Sequence, residues 1–372
     1  MTNSAPRVGL VLGAGGLVGH AYISGALAAI EDAIGWDARD ADVIVGTSAG
    51  SSVAALLRSG FSASTLYELG TTAPPVDFEP LLERFAQPAR SFIPLGLPRL
   101  PSKRVVRSVL ADPGATTWGA LAAACLPDGR VPHELVSTSH SDLVGVDWPD
   151  KALLINSVGL DNGRRTVFGL REWTEKEPDR ARVPQRGRLG RRAIGLARMG
   201  PRTPLNLAVA ASCAIPGVFT PVEVDGRRFV DGGLHSHTNL DVLAGRDLDL
   251  VVVIAPMSTA RTVRGPVDLP LRLFFRAQLA NEAAAVRASG TPVVTIQPTS
   301  TDQMMMGVNA MDPYRRGRVA EVARLSTARR LARTPLRSAL AEIDSTRRGR
   351  PVRARSSVAT RSQQRVATRG GQ

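Results

Sequence analysis

The chain opens with an unbroken apolar run, Val8-Gly9-Leu10-Val11-Leu12, which ends in a cluster of glycines and gives way to the small and apolar residues of Ala21 to Ala33. A run without polar alternation reads as a strand buried on both faces, and the segment after it as a helix. Asp42-Val43-Ile44-Val45 repeats the arrangement and passes through Gly46-Thr47-Ser48-Ala49-Gly50 into Ser51 to Arg58, which suits a helix packed closely on the sheet. Strand, turn and helix, twice over, make a βαβα opening, and a helical crossover between neighbouring strands makes them parallel.

Residues 60 to 150 break this regularity. Pro88, Pro94, Pro98 and Pro101 interrupt the chain before short helical segments at Ser102–Leu110 and Thr117–Leu126, so a helical insertion is expected rather than a separate domain. Strands resume at Ala152–Ser157 and Arg165–Phe168, joined by Asp161-Asn162-Gly163, a turn able to take positive φ. Further strands are expected at Arg227–Val230, Leu250–Ala255 and Pro292–Gln297, with Leu271 to Ala288 as the crossover helix between the last two. Asp312 to Ile343 reads as helical and basic, and no repeat of solenoid period is visible. The expected organisation is one α/β domain over residues 1–310 with the insertion at about 60–150 and a basic loop at about 180–202. A helical extension at 311–346 and a tail at 347–372 follow it.

Composition changes this picture in two places. The net charge of +14 is uneven, because Arg347 to Gln372 carries eight arginines and no acid, and Arg180 to Arg202 carries another eight without a carboxylate. The first of these stretches has the composition of a disordered tail, and the second, broken by Pro184, Gly187, Gly190 and Gly200, that of a surface loop. Neither holds an aromatic residue on which a base would stack, which argues against nucleic acid, whereas an anionic membrane surface suits such arginines. With 43% hydrophobic residues in a chain of 372, there is enough to bury a full core. No run of about 18 apolar residues would span a bilayer, and no signal-like segment precedes the first strand, so a cytoplasmic protein with peripheral membrane contact is expected. Cys125 and Cys213 lie far apart in apolar surroundings, without the spacing of a zinc or redox pair, and read as buried free thiols.

Two glycine-rich turns carry the candidate chemistry. Gly46-Thr47-Ser48-Ala49-Gly50 fits G-x-S-x-G between a strand and a helix, the context in which a serine is held on a sharp turn at the positive end of a helix. Gly46 and Gly50 are required there because a side chain would crowd the turn against the sheet. Gly13-Ala14-Gly15-Gly16-Leu17-Val18-Gly19 occupies the equivalent position after the first strand. A dinucleotide fingerprint would need glycine where Val18 stands and an acid at the end of the second strand, and neither is present. The better reading is an oxyanion hole made of the amides of Gly15, Gly16 and Leu17. A serine needs a base, and the histidines are His20, His133, His140, His235 and His237. Asp231 followed by His235 or His237 would give the Ser, acid, His order of an α/β-hydrolase, but Ser48 follows the second strand, too early for that fold.

These two turns, together with Ala211-Ser212-Cys213-Ala214-Ile215-Pro216-Gly217-Val218-Phe219-Thr220-Pro221-Val222 and Val230-Asp231-Gly232-Gly233, resemble the patatin-like phospholipases in order and spacing over roughly residues 7–310. The resemblance implies a three-layer α/β/α fold with a mainly parallel central sheet. It implies a dyad of Ser48 as nucleophile and Asp231 as its only base, with Gly46, Thr47, Ala49 and Gly50 forming the nucleophile elbow and Gly232 and Gly233 the turn after the aspartate. The implied activity is hydrolysis of fatty acyl esters of lipids or phospholipids, with neither metal nor organic cofactor. Val18 departs from the pattern, since the family often carries Arg or Lys there, and charge at the oxyanion is lost with it. His235 and His237 read as surface or loop histidines. A reading from another class stays open: a hydrolase fold whose chemistry has lapsed, acting as a basic membrane- or nucleic-acid-binding protein.

Overall fold

A computed structural model describes residues 6–71, 105–107, 125–176, 198–260 and 268–332. The apolar stretch Pro94–Pro98, most of the expected helices at 102–126, residues 180–197 of the basic stretch and the arginine-rich 347–372 lie outside the described residues.

The opening forms as the apolar pattern dictates, with β1 (Val8–Leu12), α1 (Gly16–Ile34), β2 (Val43–Thr47) and α2 (Ala49–Arg58). Every residue of both strands is buried. Gly35 stops α1 in the left-handed conformation at φ 70° and donates its N–H to Glu31. After α3 (Ala63–Thr71) and α4 (Glu134–Val144) come the longer strand β3 (Ala152–Gly159), β4 (Arg164–Phe168) and α5 (Leu170–Lys176). Arg198 and Met199, at the end of the stretch read as a loop, form the two-residue strand β5 beside β4. Then follow α6 (Leu205–Cys213), the hairpin β6 (Val222–Val224) and β7 (Arg227–Asp231), β8 (Leu250–Ile254), α7 (Leu269–Ala288), β9 (Val293–Ile296), α8 (Ser300–Met306) and α9 (Arg316–Leu331).

The sheet runs β5-β4-β3-β2-β1-β8-β9, parallel from β3 to β9 and antiparallel between β3 and β4. Successive side chains of its central strands go to opposite faces. Leu10, Leu12, Ile44, Val252 and Ile254 join a core with residues of α1, α2, α6 and α9. Val11, Val43, Val45, Val251 and Val253 join a second core with α5, α7 and the turn at Leu240–Leu243. Helices thus cover both faces, giving the three-layer α/β/α arrangement with a mainly parallel sheet.

α9 belongs to the first of these cores, with Val319, Ala320, Ala323 and Leu331 buried in it. It approaches α1 closely because Gly25 has no side chain; a Cβ there would collide with the Ala320 carbonyl.

Candidate active site

β3 is the element that assembles the site. Its residues Ala152 to Asn156 pair with β2, the last pair being Thr47 with Asn156. β4 occupies the other edge from Ile155 onward. β3 outruns β2, and on the edge that β2 vacates it takes up β7 antiparallel, with Asp231 opposite Ser157. Ser48, directly after Thr47, and Asp231 therefore meet at consecutive register positions of one strand, although 183 residues separate them.

The Ser48 turn is strained and tightly held. Ser48 has φ 53° and ψ −123°, a conformation a non-glycine residue adopts at a cost of about 1–3 kcal/mol. Its N–H donates to the Ser212 hydroxyl at 2.9 Å, which in turn donates to the Asn156 carbonyl at 2.6 Å. Its own carbonyl accepts from the Ser51 amide and hydroxyl. A Cβ on Gly46 would crowd Ser51, and one on Gly50 would collide with the Leu12 carbonyl, so the two glycines are demanded by the approach of α2 to β2 and to β1 respectively. One turn into α2, Ser52 bonds His140 Nε2 at 2.7 Å. Because His140 Nδ1 faces the Val136 carbonyl at 2.8 Å and must donate to it, Nε2 accepts from Ser52.

Ser48 is 5% exposed and Asp231 6%. Burial pushes the Asp231 carboxyl up to about 6, against the lowering effect of the Ser48 hydroxyl and of the hydrogen bond from the Gly233 N–H. The Gly233 bond is 2.7 Å to Oδ1. A Cβ on Gly232 would strike the Asn156 carbonyl, so the turn after Asp231 closes against β3 only with glycine.

The glycine loop lies against both turns, with Leu12 and Gly13 beneath Gly50 and Ala14 beside Gly233. Its amides divide cleanly. Gly13 donates to Ile254, Ala14 to His237, Val18 to Ala310 and Gly19 to Gly15. Those of Gly15, Gly16 and Leu17 have no partner among the described residues. They are orphan donors at the positive end of a helix of 19 residues. Gly16 is at φ 61°, reserved in practice for glycine.

Behind the site lies a polar network that periodicity does not reveal. Asn239, left-handed at φ 52°, donates through its side-chain amide to Thr47 Oγ1 at 3.1 Å, the Gly232 carbonyl at 3.4 Å and the Ser236 carbonyl at 2.6 Å. Its oxygen accepts from Arg165 at 3.2 Å. Arg165, wholly buried, forms a two-pronged pair with Asp241 at 2.5 and 2.7 Å. Burial works to raise the Asp241 carboxyl, but the Arg165 guanidinium overcomes it and holds the group below its usual value. Glu282, on α7, accepts from the Thr238 hydroxyl and the Leu240 amide, while burial and then Asp241 push it up to about 7. Arg165, inside the expected strand Arg165–Phe168, was the available signal for this network, since a cation buried in a strand needs a buried acid.

His235 and His237 both lie in the loop after the Asp231 turn, His235 half-buried and His237 away from the surface. His237 is fully buried, its ring 4.9 Å from Phe275 and its Nδ1 3.2 Å from Gln278, and burial lowers it to about 4. Burial and then the Arg165 charge lower His235 to about 3. Both cysteines are free and half-buried rather than fully buried. Among the described residues no helix is long and apolar enough to cross a membrane, and no group of His, Cys, Asp and Glu gathers at metal-binding distance.

The chain is 29% identical over 254 residues to an uncharacterized NTE family protein of Mycobacterium tuberculosis, and equally to one of Mycobacterium bovis. The match takes in 68% of this chain and spans half the length of those relatives. Among solved structures it is similar to the type III effector protein ExoU, at 17% identity and a TM-score of 0.34 over 91% of this chain and 54% of that one. It is also similar to VipD from Legionella pneumophila, at 12% identity and a TM-score of 0.37 over 88% of this chain and 67% of that one. A match to the patatin-like phospholipases runs over residues 10–244, more than half of the sequence and from the first strand to beyond the Asp231 turn, and the chain therefore belongs to that family.

Proposed function

We propose that the chain is a serine lipid acyl hydrolase working through a Ser48–Asp231 dyad. The observation that carries this reading is that β3 brings the Ser48 turn and the buried Asp231 to adjoining register positions, with burial raising the Asp231 carboxyl to about 6, still largely ionised at neutral pH and basic enough to take a proton. Ser48 Oγ attacks the ester carbonyl carbon as its proton passes to Asp231. The tetrahedral oxyanion sits on the amides of Gly15, Gly16 and Leu17. Collapse breaks the bond to the alcohol, which takes the proton from Asp231 and departs, leaving a fatty acyl ester on Ser48. Water then attacks that ester as Asp231 accepts its proton. Collapse of the second tetrahedral intermediate returns this proton to Ser48 and frees the fatty acid. Membership of the patatin-like phospholipases supports an ester of a lipid as the substrate.

The test is intact-mass analysis after exposure to a fluorophosphonate. Wild type is expected to gain one adduct, Ser48→Ala none, and Asp231→Asn one that forms at least a hundredfold more slowly. An adduct that persists in Ser48→Ala would sink the dyad. Wild type unmodified in the presence of vesicles would favour a binding protein on a silent hydrolase fold.

A further inference from the structure

The four most exposed large hydrophobic side chains among the described residues are Tyr314 at 70%, Val308 at 65%, Phe274 at 62% and Met304 at 60%. They are not scattered. Met304, Val308 and Tyr314 fall in one stretch that rests on the glycine loop, where the Ala310 carbonyl accepts from Val18 and the Met311 sulfur lies against Gly16. Phe274 belongs to the other segment that adjoins this loop, and its side chain is turned out to solvent. It stands on the first turns of α7, where Arg272 bonds the Pro256 carbonyl at 3.0 Å and Pro256 packs on Gly15 and Gly19. Leu271, one turn before Phe274, is also exposed. Exposed apolar residues thus stand on both of the segments that adjoin the loop carrying the free amides. Scattered singly they would need no account, but five of them on two segments beside one loop mark an interaction surface.

The charge around this rim selects the partner. Segments 268–276 and 304–321 carry five arginines against three acids, Asp268, Asp312 and Glu321; Arg272 is buried against Asp268, while Arg276, Arg315 and Arg318 are exposed. Aromatic and aliphatic tips ringed by arginine fit an anionic bilayer, in which the apolar tips enter the acyl boundary and the guanidinium groups meet the headgroups. A rim in the bilayer also lets an acyl chain pass from membrane to site without exposing its length to water.

We propose that Met304, Val308, Tyr314, Leu271 and Phe274 form a membrane-docking rim that seats the mouth of the Ser48 site on an anionic phospholipid surface. The location of that mouth rests on the acyl-hydrolase reading, whereas docking is measurable without turnover.

The experiment uses the full chain with sucrose-loaded vesicles of phosphatidylcholine containing phosphatidylglycerol. The triple variant Phe274→Ser, Val308→Ser, Tyr314→Ser is expected to bind them at least tenfold more weakly than wild type while hydrolysing a short-chain soluble ester at the wild-type rate. Val308→Trp, which leaves the rim apolar, is expected to bind at least as well as wild type and to shift its added tryptophan emission to the blue on vesicle addition. Wild-type binding by the triple variant, or an unshifted Val308→Trp, would overturn the rim. So would binding lost only on deletion of residues 347–372, or a wild-type dimer that the triple variant dissolves while vesicle binding is unchanged. Absence of ester turnover in every form would count against the acyl-hydrolase reading and leave the docking result standing.

Discussion

Asn239 donates its side-chain amide to the Thr47 hydroxyl across 3.1 Å, and the same amide reaches the carbonyl of Gly232. One side chain therefore ties the residue before Ser48 to the residue after Asp231. Its left-handed backbone, at φ 52°, is tolerated by asparagine and glycine and resisted by most others. Asn239→Gly keeps the backbone freedom and removes the tie together with the side chain's bonds to Arg165 and Ser236, so it is expected to lower stability by about 1–3 kcal/mol through the buried groups it strands. It is also expected to slow fluorophosphonate labelling of Ser48 at least tenfold, with the KM for a soluble ester little changed. Chemical denaturation and labelling kinetics together check this, and an unchanged labelling rate would reduce Asn239 to a structural residue.

The raised Asp231 carboxyl predicts two pH effects. Activity toward a soluble ester, as kcat/KM, is expected to rise through about pH 6 and then level off, because the base acts only when ionised. Stability moves the other way. Between the usual 3.8 and about 6 the folded state holds a proton that the unfolded state has lost, so stability falls as pH rises through that window and stays lower above it. Asp231→Asn removes the buried charge and should be more stable than wild type at pH 8 by up to roughly 3 kcal/mol, a gain that vanishes near pH 4. Melting temperatures of the two proteins at those pH values decide the matter, and a gain of equal size at both would contradict it.

Arg165 is the cation that the buried acids of the network share. Arg165→Met leaves Asp241 and Glu282 buried without it, and a loss of about 3–5 kcal/mol is expected in urea unfolding at pH 8. The loss should shrink as pH falls and the two carboxyls take up protons, Glu282 first since it titrates near 7. A loss independent of pH would point to packing instead.

Gly25→Leu should separate α1 from α9, since even a Cβ at this position meets the Ala320 carbonyl and the Arg324 amide. Overpacking of this kind costs about 1–3 kcal/mol or more. Limited trypsin digestion is expected to cut the variant at Arg318 or Arg324 under conditions that leave wild type whole. Equal resistance would show that α9 does not depend on this approach.

Much of the fold is written in local pattern. The apolar runs at Val8–Leu12 and Val43–Thr47 and the glycine-rich turns after them are legible because strand, turn and helix each answer to neighbouring residues. α1 begins at Gly16, earlier than its apolar stretch suggests, because two glycines of poor helix propensity are held in its first turn by contacts with Pro256 and Ala310. The burial of His237 was not legible, since a histidine between Ser236 and Thr238 has the composition of a loop. Only α7, packed against it from some 40 residues away in sequence, removes it from water.

By itself the sequence determined the central parallel strands, the glycine loop with its amides and the Ser48 turn, and resemblance supplied the pairing of Ser48 with Asp231. What only the tertiary structure decided is how that pair meets: β3 outruns β2 and accepts β7 on the vacated edge, so that Thr47 and Asp231 fall opposite Asn156 and Ser157. The same is true of the Arg165 network and of the apolar rim. Strand register, the burial of a polar side chain and the exposure of an apolar one are set by whatever packs against them, and the residues that do so are distant in the chain.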